Sequence, residues 1–431
     1  MNNNLADLHV HLYGCLTPED IWHMARDIEI DSNKIDLFSH NYQKVFGRPS
    51  NYEKYWMSSS GIENIAKDYL VTSRSNFQEF QAKFDLVPAL FPLNPHAPLV
   101  LSHVIDKHQK EGVTYVEYRC FMPPYFNKEE LRKYLDDLTS VCLEKETLYQ
   151  SEIKPRLVMS LPRDPKLFRN LYLTLHQWLQ QNPARQSFIV GIDLCALEAN
   201  NPPKNIQQEL AVVAKNNIIH PESALSILYH VGEQYDHISL CSSLRWVYEA
   251  VTIGANRLGH AAILGLDSNL LIDTEGEEPV SERIDHISWV LENSYWLSDY
   301  GIQPNSSQLR NELENLKNQP STRKISLYYN QEYLEQFDQL QNALLKKLST
   351  SPVVIESCPT SNSVLTDAPL NQSHPLVKFK KNGLNVTIGS DDPGIFNCSL
   401  SSELKLAESL IGPLESSERY YSKTLLAEVI K

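Results

Sequence analysis

The chain contains no run of about 18 apolar residues, the length at which a helix would cross a bilayer, so no membrane partner is expected. Its opening residues, Met1-Asn2-Asn3-Asn4, carry neither a basic stretch nor an apolar one. That start predicts no secretory leader and a soluble, cytoplasmic protein. The seven cysteines are scattered and odd in number, without a CxxC pair, and Cys120, Cys195 and Cys358 sit inside apolar runs. Reduced, buried thiols fit this pattern better than a disulfide framework or a cysteine-held structural zinc. No basic tract stands out and the formal net charge is −14, which disfavours a nucleic-acid partner. No GxGxxG follows the first apolar run, so a dinucleotide-binding fold is not indicated. Internal repeats and low-complexity segments are missing as well.

What is present is a hydrophobic content of 42% in 431 residues, enough for a large core. Eight short apolar runs, rich in β-branched residues, appear in order: Leu5–His11, Val113–Arg119, Arg156–Leu161, Phe188–Leu194, Ser226–His230, Asn256–His260, Val353–Cys358 and Leu384–Ser390. Most are separated by enough chain for a loop and a helix. One helix opens at Pro18-Glu19-Asp20 behind Thr17, an N-cap residue followed by proline in the first turn. Eight strand–helix units in succession predict an α/β fold, a closed (β/α)8 TIM barrel, as one domain over 1–431. Two gaps, about Tyr13–Gly112 and Leu264–Ser351, exceed one helix and predict insertions at about 35–75 and 268–350. The second reads as helix over Ser281–Tyr300, a polar linker around Pro304–Pro320, and helix over Gln331–Leu348. Both are expected as helical insertions over the C-terminal face of the barrel, where they shape substrate access and offer surfaces for oligomer formation.

Four motifs fall at the C-terminal ends of predicted strands. The first strand ends His9-Val10-His11, with both imidazoles on one face because side chains alternate along a strand. The fifth ends in His230 with Glu233 three residues on, the sixth in His260, and the eighth is followed by Asp391-Asp392-Pro393. Taken singly, an HxH pair can lie on a solvated edge, a strand histidine can be a satisfied core residue, and an Asp pair before proline can be a turn. Their shared position is the face where barrel enzymes place their chemistry. Three histidines and one carboxylate around an open position describe a catalytic zinc site, where zinc brings the pKa of a bound water down to about 7. Glu233 is then left to pass a proton to substrate, and His260 to orient the attacking water.

The segments DLHVHLYG at 7–14, VTYVEYR at 113–119, IVGIDL at 189–194, HVGE at 230–233, RLGH at 257–260, ESCPTSN at 356–362 and SDDPGIF at 390–396 together resemble the adenosine deaminase family, in the family's order. The resemblance implies one zinc per chain, held by His9, His11, His230 and Asp391. It implies Glu233 as proton donor to purine N1, His260 acting on the zinc-bound water, and Asp392 touching the purine ring. The implied reaction removes ammonia from C6 of an adenine nucleoside or nucleotide (adenosine, deoxyadenosine or their 5′-phosphates), a small-molecule purine substrate. The HxE and PCxxC signature of the cytidine-deaminase type is absent.

Three positions depart from the family pattern. Where the family carries an aspartate associated with the 5′-hydroxyl, this chain has Tyr13, which does not repel a 5′-phosphate and can donate to one. The glycine whose backbone approaches purine N3 is Ala196, and the acidic residue after it is Leu197. Arg163, Lys44 and Arg48 are candidate anion contacts. The altered positions leave room for a related amidohydrolase acting on another purine or amidine. A non-catalytic scaffold or signalling role is the remaining alternative.

Overall fold

The computed structural model describes residues 5–27, 32–50, 52–56, 58–87, 93–366 and 368–414. Eight parallel strands form one sheet: β1 Leu5–His11, β2 Val113–Phe121, β3 Lys154–Ser160, β4 Ile189–Leu194, β5 Ser226–Val231, β6 Arg257–His260, β9 Val354–Ser357 and β10 Asn385–Ile388. Each corresponds to a run anticipated above. The strands follow chain order around the sheet, and between β6 and β9 the chain makes a separate hairpin, β7 Thr274–Pro279 with β8 Lys324–Tyr329. The circle closes where His11 N–H donates to the Asp391 carbonyl and Asp391 N–H to the His9 carbonyl, both at 2.8 Å. Closure therefore runs through three of the expected metal ligands, His9, His11 and Asp391. Strands of such a barrel are covered on both faces, which is why β5 (SILYHV) is buried at every position and reads as a continuous apolar run. The helix Pro18–Asp27 begins as anticipated: Thr17 Oγ1 accepts from Asp20 N–H at 3.2 Å, and Asp20 Oδ2 accepts from Thr17 N–H at 2.9 Å.

The first insertion carries helices Ser32–Phe46, Tyr52–Trp56, Gly61–Tyr69 and Phe77–Phe84, the last lying just past the anticipated boundary at 75. Val71 N–H donates to Ile395 O (3.0 Å) and Ser75 N–H to Val364 O (3.1 Å), tying it to the loop after β10 and to the helix Pro359–Leu365 after β9. Phe80 stacks on Phe396 with ring centroids 5.4 Å apart. These contacts hold the helix Phe77–Phe84 over the C-terminal ends of the strands.

The second insertion differs from its sequence reading. It contains an antiparallel hairpin, β7 Thr274–Pro279 with β8 Lys324–Tyr329. The segment Thr274–Pro279 (TEGEEP) carries one β-branched residue, Thr274, and no aromatic one, whereas its partner KISLYY has Ile325, Tyr328 and Tyr329. The polar stretch around Pro304–Pro320 is a helix, Ser306–Lys317, whose start is capped by Asn305 accepting from Gln308 N–H at 3.1 Å. Leu309, Leu313 and Leu316 recur at helical spacing and pack with Ile284, Ile287 and Leu291. The insertion docks on the helix Leu240–Thr252 that follows β5. Ser242 Oγ donates to Glu278 Oε2 at 2.7 Å, Trp246 Nε1 to Glu282 Oε2 at 3.0 Å, and Arg245 pairs with Glu282. Both insertions read from sequence as covers for the mouth; no described residue of this one lines the cavity there.

No helix among the described residues is long and apolar enough to cross a membrane.

Candidate metal centre and active site

His9, His11, His230 and Asp391 come together: each offers one ligand atom, and these atoms all lie within 4.8 Å of one another. The approach needs small residues beside it. A side chain at Gly389 would meet the His9 Cβ at 2.5 Å, and one at Gly259 would press on the His9 and His230 rings at 3.1 Å. Two carboxylates behind the rings decide which nitrogens face the centre. Glu356 Oε2 lies 2.9 Å from His9 Nδ1, and Asp193 Oδ1 lies 3.0 Å from His230 Nδ1. With Nδ1 on the carboxylate side, hydrogen-bonded in His230 and close to Glu356 in His9, the Nε2 atoms face the centre. Both Nε2 atoms are buried and lack a hydrogen-bond partner. Orphaned buried acceptors are costly, and three imidazoles with one carboxylate are a donor set that suits zinc. The residues thus fit the ion that the sequence pattern implies. His260, Cys358 and Asp391 form an overlapping group rather than a second centre, since Asp391 is shared.

Beneath the rings lies a layer of buried charge. Arg119 Nε is 3.1 Å from Asp193 Oδ2, its Nη1 donates to Leu8 O at 3.0 Å, and it also pairs with Glu356. Arg257 joins Glu356 to Glu117, the latter at 2.6 Å. Burial pushes the Glu356 carboxyl up, but Arg119 and Arg257 outweigh it and hold the group well below the usual carboxylate range. Asp193 is likewise pushed up by burial and carried far down by His230 and Arg119. Both therefore stand as anions behind the histidines. Arg119, Asp193 and Glu356 all lie in segments that carry the resemblance, yet their part here was missed. Charged residues inside otherwise apolar barrel strands were the available signal.

His260 stands beside the centre. Its Nδ1 lies 2.9 Å from Asn362 Oδ1, and its Nε2 lies 3.6 Å from Glu233 Oε1 and 3.9 Å from Asp391 Oδ2. Burial lowers its pKa to about 4. Burial, and then the charge of Asp391, push the Glu233 carboxyl well above its usual range. The turn that carries Glu233 is anchored by Glu198, whose carboxylate accepts the backbone N–H groups of Gly232 (2.9 Å), Glu233 (3.0 Å) and Gln234 (3.0 Å). Asp392 is buried against Gly14, where any Cβ would strike its carboxylate, and its Oδ1 has no hydrogen-bond partner. His260 (φ 62°), Asp391 (φ 61°) and Ala196 (φ 66°) all take the left-handed backbone conformation, a concentration of strain typical of functional sites.

These groups open into one cavity of about 400 Å³. Tyr13, Ala196 and Asp392 line it, beside His11, Glu233 and His260. Leu197 is exposed and is not part of the wall. Arg163 is not available to an anion in the way the sequence suggests. Buried, it donates to the carbonyls of Cys195 (3.2 Å), Leu194 (3.0 Å) and His230 (2.7 Å), bracing the ends of β4 and β5. Arg48 pairs with Asp68 at 3.2 Å, away from the cavity wall. The Lys44 side chain lies outside the described residues.

Residues 332–419 match the family model for adenosine deaminase. An adenine deaminase from Rhizobium rhizogenes is 45% identical over 69 residues, which cover 16% of this chain and 21% of that enzyme. The match thus spans about a fifth of the relative's length. Among solved structures, the adenine deaminase from Arthrobacter aurescens aligns with a TM-score of 0.54 at 17% identity, covering 99% of this chain and 98% of that one. The Arabidopsis N6-mAMP deaminase aligns with a TM-score of 0.55 at 16% identity, covering 99% and 97%. The solved structures agree with the barrel fold along its whole length, and the segment 332–419 is similar to the adenosine deaminase family.

Proposed function

We propose that the protein is a zinc-dependent hydrolase that converts the 6-amino group of an adenine nucleoside or related adenine compound to a 6-oxo group. Water adds at C6, the C6–N bond breaks and ammonia leaves. The observation that carries this reading is the convergence of the His9 and His230 Nε2 atoms, His11 and Asp391 with Glu233 and His260 on one cavity. Zinc held by His9, His11, His230 and Asp391 would supply an activated water at neutral pH. The chain's own groups do the remainder. Glu233, kept protonated by burial, donates to a ring nitrogen and makes C6 electrophilic. His260 is neutral with its Nδ1 directed at Asn362, which leaves Nε2 to accept a proton. Asp392 Oδ1 offers the ring a buried polar contact. Aromatic walls from Phe80 and Phe84 keep bulk water out.

Incubation of the zinc-loaded protein with adenine, adenosine, deoxyadenosine and AMP, followed by ammonia release and the absorbance change, tests the reading. Turnover of at least one compound, lost in Glu233→Gln while zinc stays bound, is the expected result. Silence across the panel overturns it.

A further inference from the structure

The two nitrogens of the His260 ring meet different surroundings. Nε2 faces the Asp391 carboxylate, whose Oδ2 lies 3.9 Å away. A nearby anion favours a hydrogen on Nε2, and a neutral imidazole protonated there has no lone pair at that atom to receive a proton. Nδ1 lies 2.9 Å from Asn362 Oδ1. An amide carbonyl only accepts, so it draws the ring hydrogen to Nδ1 and frees Nε2. Asn362 is fully buried, and its Nδ2 has no hydrogen-bond partner. A buried donor left in that state costs roughly 1–3 kcal/mol, which a leucine of similar shape would not incur. A polar residue held at that cost points to a role beyond packing. The His260 backbone adds to the case, since its φ of 62° is a strained setting for a residue whose ring must be aimed.

The amide is fixed by the helix that carries it, Pro359–Leu365. At its first turn the buried Glu403 accepts Thr360 N–H at 2.9 Å and pairs with Thr360 Oγ1. Near its end Val364 O accepts Ser75 N–H at 3.1 Å, and just beyond it Thr366 O accepts the Tyr235 hydroxyl at 2.7 Å. Three separate segments thus hold one short helix, and with it the distance from Asn362 to the ring. We infer that Asn362 is a positioning residue: it keeps His260 in the Nδ1–H form, against the pull of Asp391, so that Nε2 is left to accept a proton from the attacking water. The inference rests on the deaminase reading for that step and adds to it the residue that decides where the ring hydrogen sits.

Nitrogen NMR of the zinc-loaded protein with isotope-labelled histidine reads the tautomer without turnover, the His260 signals being assigned by their loss in His260→Gln. The parent should show a protonated Nδ1 and a bare Nε2. Asn362→Leu should shift the hydrogen to Nε2 while zinc content stays unchanged. In kinetics the same variant should lower kcat at least about tenfold, part of what a positioned proton acceptor contributes, and leave KM within about twofold. Asn362→Asp keeps an oxygen opposite Nδ1 and should keep Nδ1 protonated, which tests the contact even where the leucine variant fails to fold. A parent His260 protonated at Nε2 alone, a leucine variant with the parent's signals, an aspartate variant that loses the Nδ1 hydrogen, or a raised KM at unchanged kcat overturns the inference. A parent with the expected signals that deaminates nothing would instead overturn only the catalytic reading.

Discussion

Glu198 accepts the backbone N–H of Glu233 at 3.0 Å, so one glutamate positions another without touching its side chain. The same carboxylate takes the N–H groups of Gly232 and Gln234, and Glu198 is almost fully buried. Three buried donors lose their acceptor together in Glu198→Ala. With roughly 1–3 kcal/mol for each unsatisfied buried group, partly relieved by water entering, a loss of about 3 kcal/mol is expected in denaturant titration. Turnover should fall by at least about tenfold because the Glu233 turn is released, while zinc content is kept because Glu198 touches no ligand side chain. An active variant of unchanged stability would show that the anchor is dispensable.

Asp193 is predicted to control metal affinity from behind His230. Asp193→Ala removes the partner of His230 Nδ1 and one of the carboxylates facing Arg119. The imidazole is then free to turn its Nε2 from the centre. Loss of such an outer partner typically weakens a metal site by about 10–100-fold. Competition with a chromophoric zinc chelator measures this directly. An affinity equal to that of the parent would mean that the His230 ring is held by packing alone.

The eight barrel strands were legible because both of their faces are buried, so each leaves a contiguous apolar run in the sequence, as in SILYHV at 226–231. The central site residues were legible for a related reason: strand ends fix the position of His9, His11, His230 and His260, and a barrel gathers all strand ends at one mouth. What escaped was set by contacts between distant segments. The value of Glu198 lies in backbone groups 34 to 36 residues away, invisible to local pattern. Arg163 looks like a free cation in sequence because its three acceptors are carbonyls of residues 31 to 67 positions away. The hairpin β7–β8 was missed because much of it is solvated, so alternation in TEGEEP is not enforced by a core.

Ala196 occupies the left-handed region with φ 66° in the cavity wall. A side chain there costs on the order of 1 kcal/mol relative to glycine, while glycine gains a comparable entropy in the unfolded chain. Ala196→Gly is therefore expected to leave stability unchanged or to raise it by up to about 1 kcal/mol, where alanine-to-glycine changes at ordinary helical positions cost about 0.5–1 kcal/mol. Thermal melting of the zinc-loaded variant checks this. A loss of 1 kcal/mol or more would mean that the methyl group contributes packing that outweighs its strain.

Asp20 offers a pH dependence remote from the metal. Its Oδ2 accepts from Thr17 N–H (2.9 Å), Thr17 Oγ1 (2.8 Å) and Lys107 Nζ (3.2 Å), and its Oδ1 lies 2.8 Å from His103 Nε2. Burial pushes the carboxyl up, but His103, Lys107 and the Thr17 donors outweigh it and hold its pKa well below the ordinary value. A group whose folded pKa is depressed adds stability that is complete above its unfolded value, about 3.9, and is lost as pH falls toward the folded value. Asp20→Asn should accordingly cost about 1–2 kcal/mol at pH 7, a modest figure because the pair with Lys107 is partly open to solvent. The difference between parent and variant should shrink progressively below about pH 4, as the parent's carboxylate takes up its proton. Denaturant midpoints of the two proteins at pH 7, 5 and 3.5 give the comparison. A gap that stays constant to pH 3.5, or widens, would place the contribution of Asp20 in packing or capping geometry rather than in its charge.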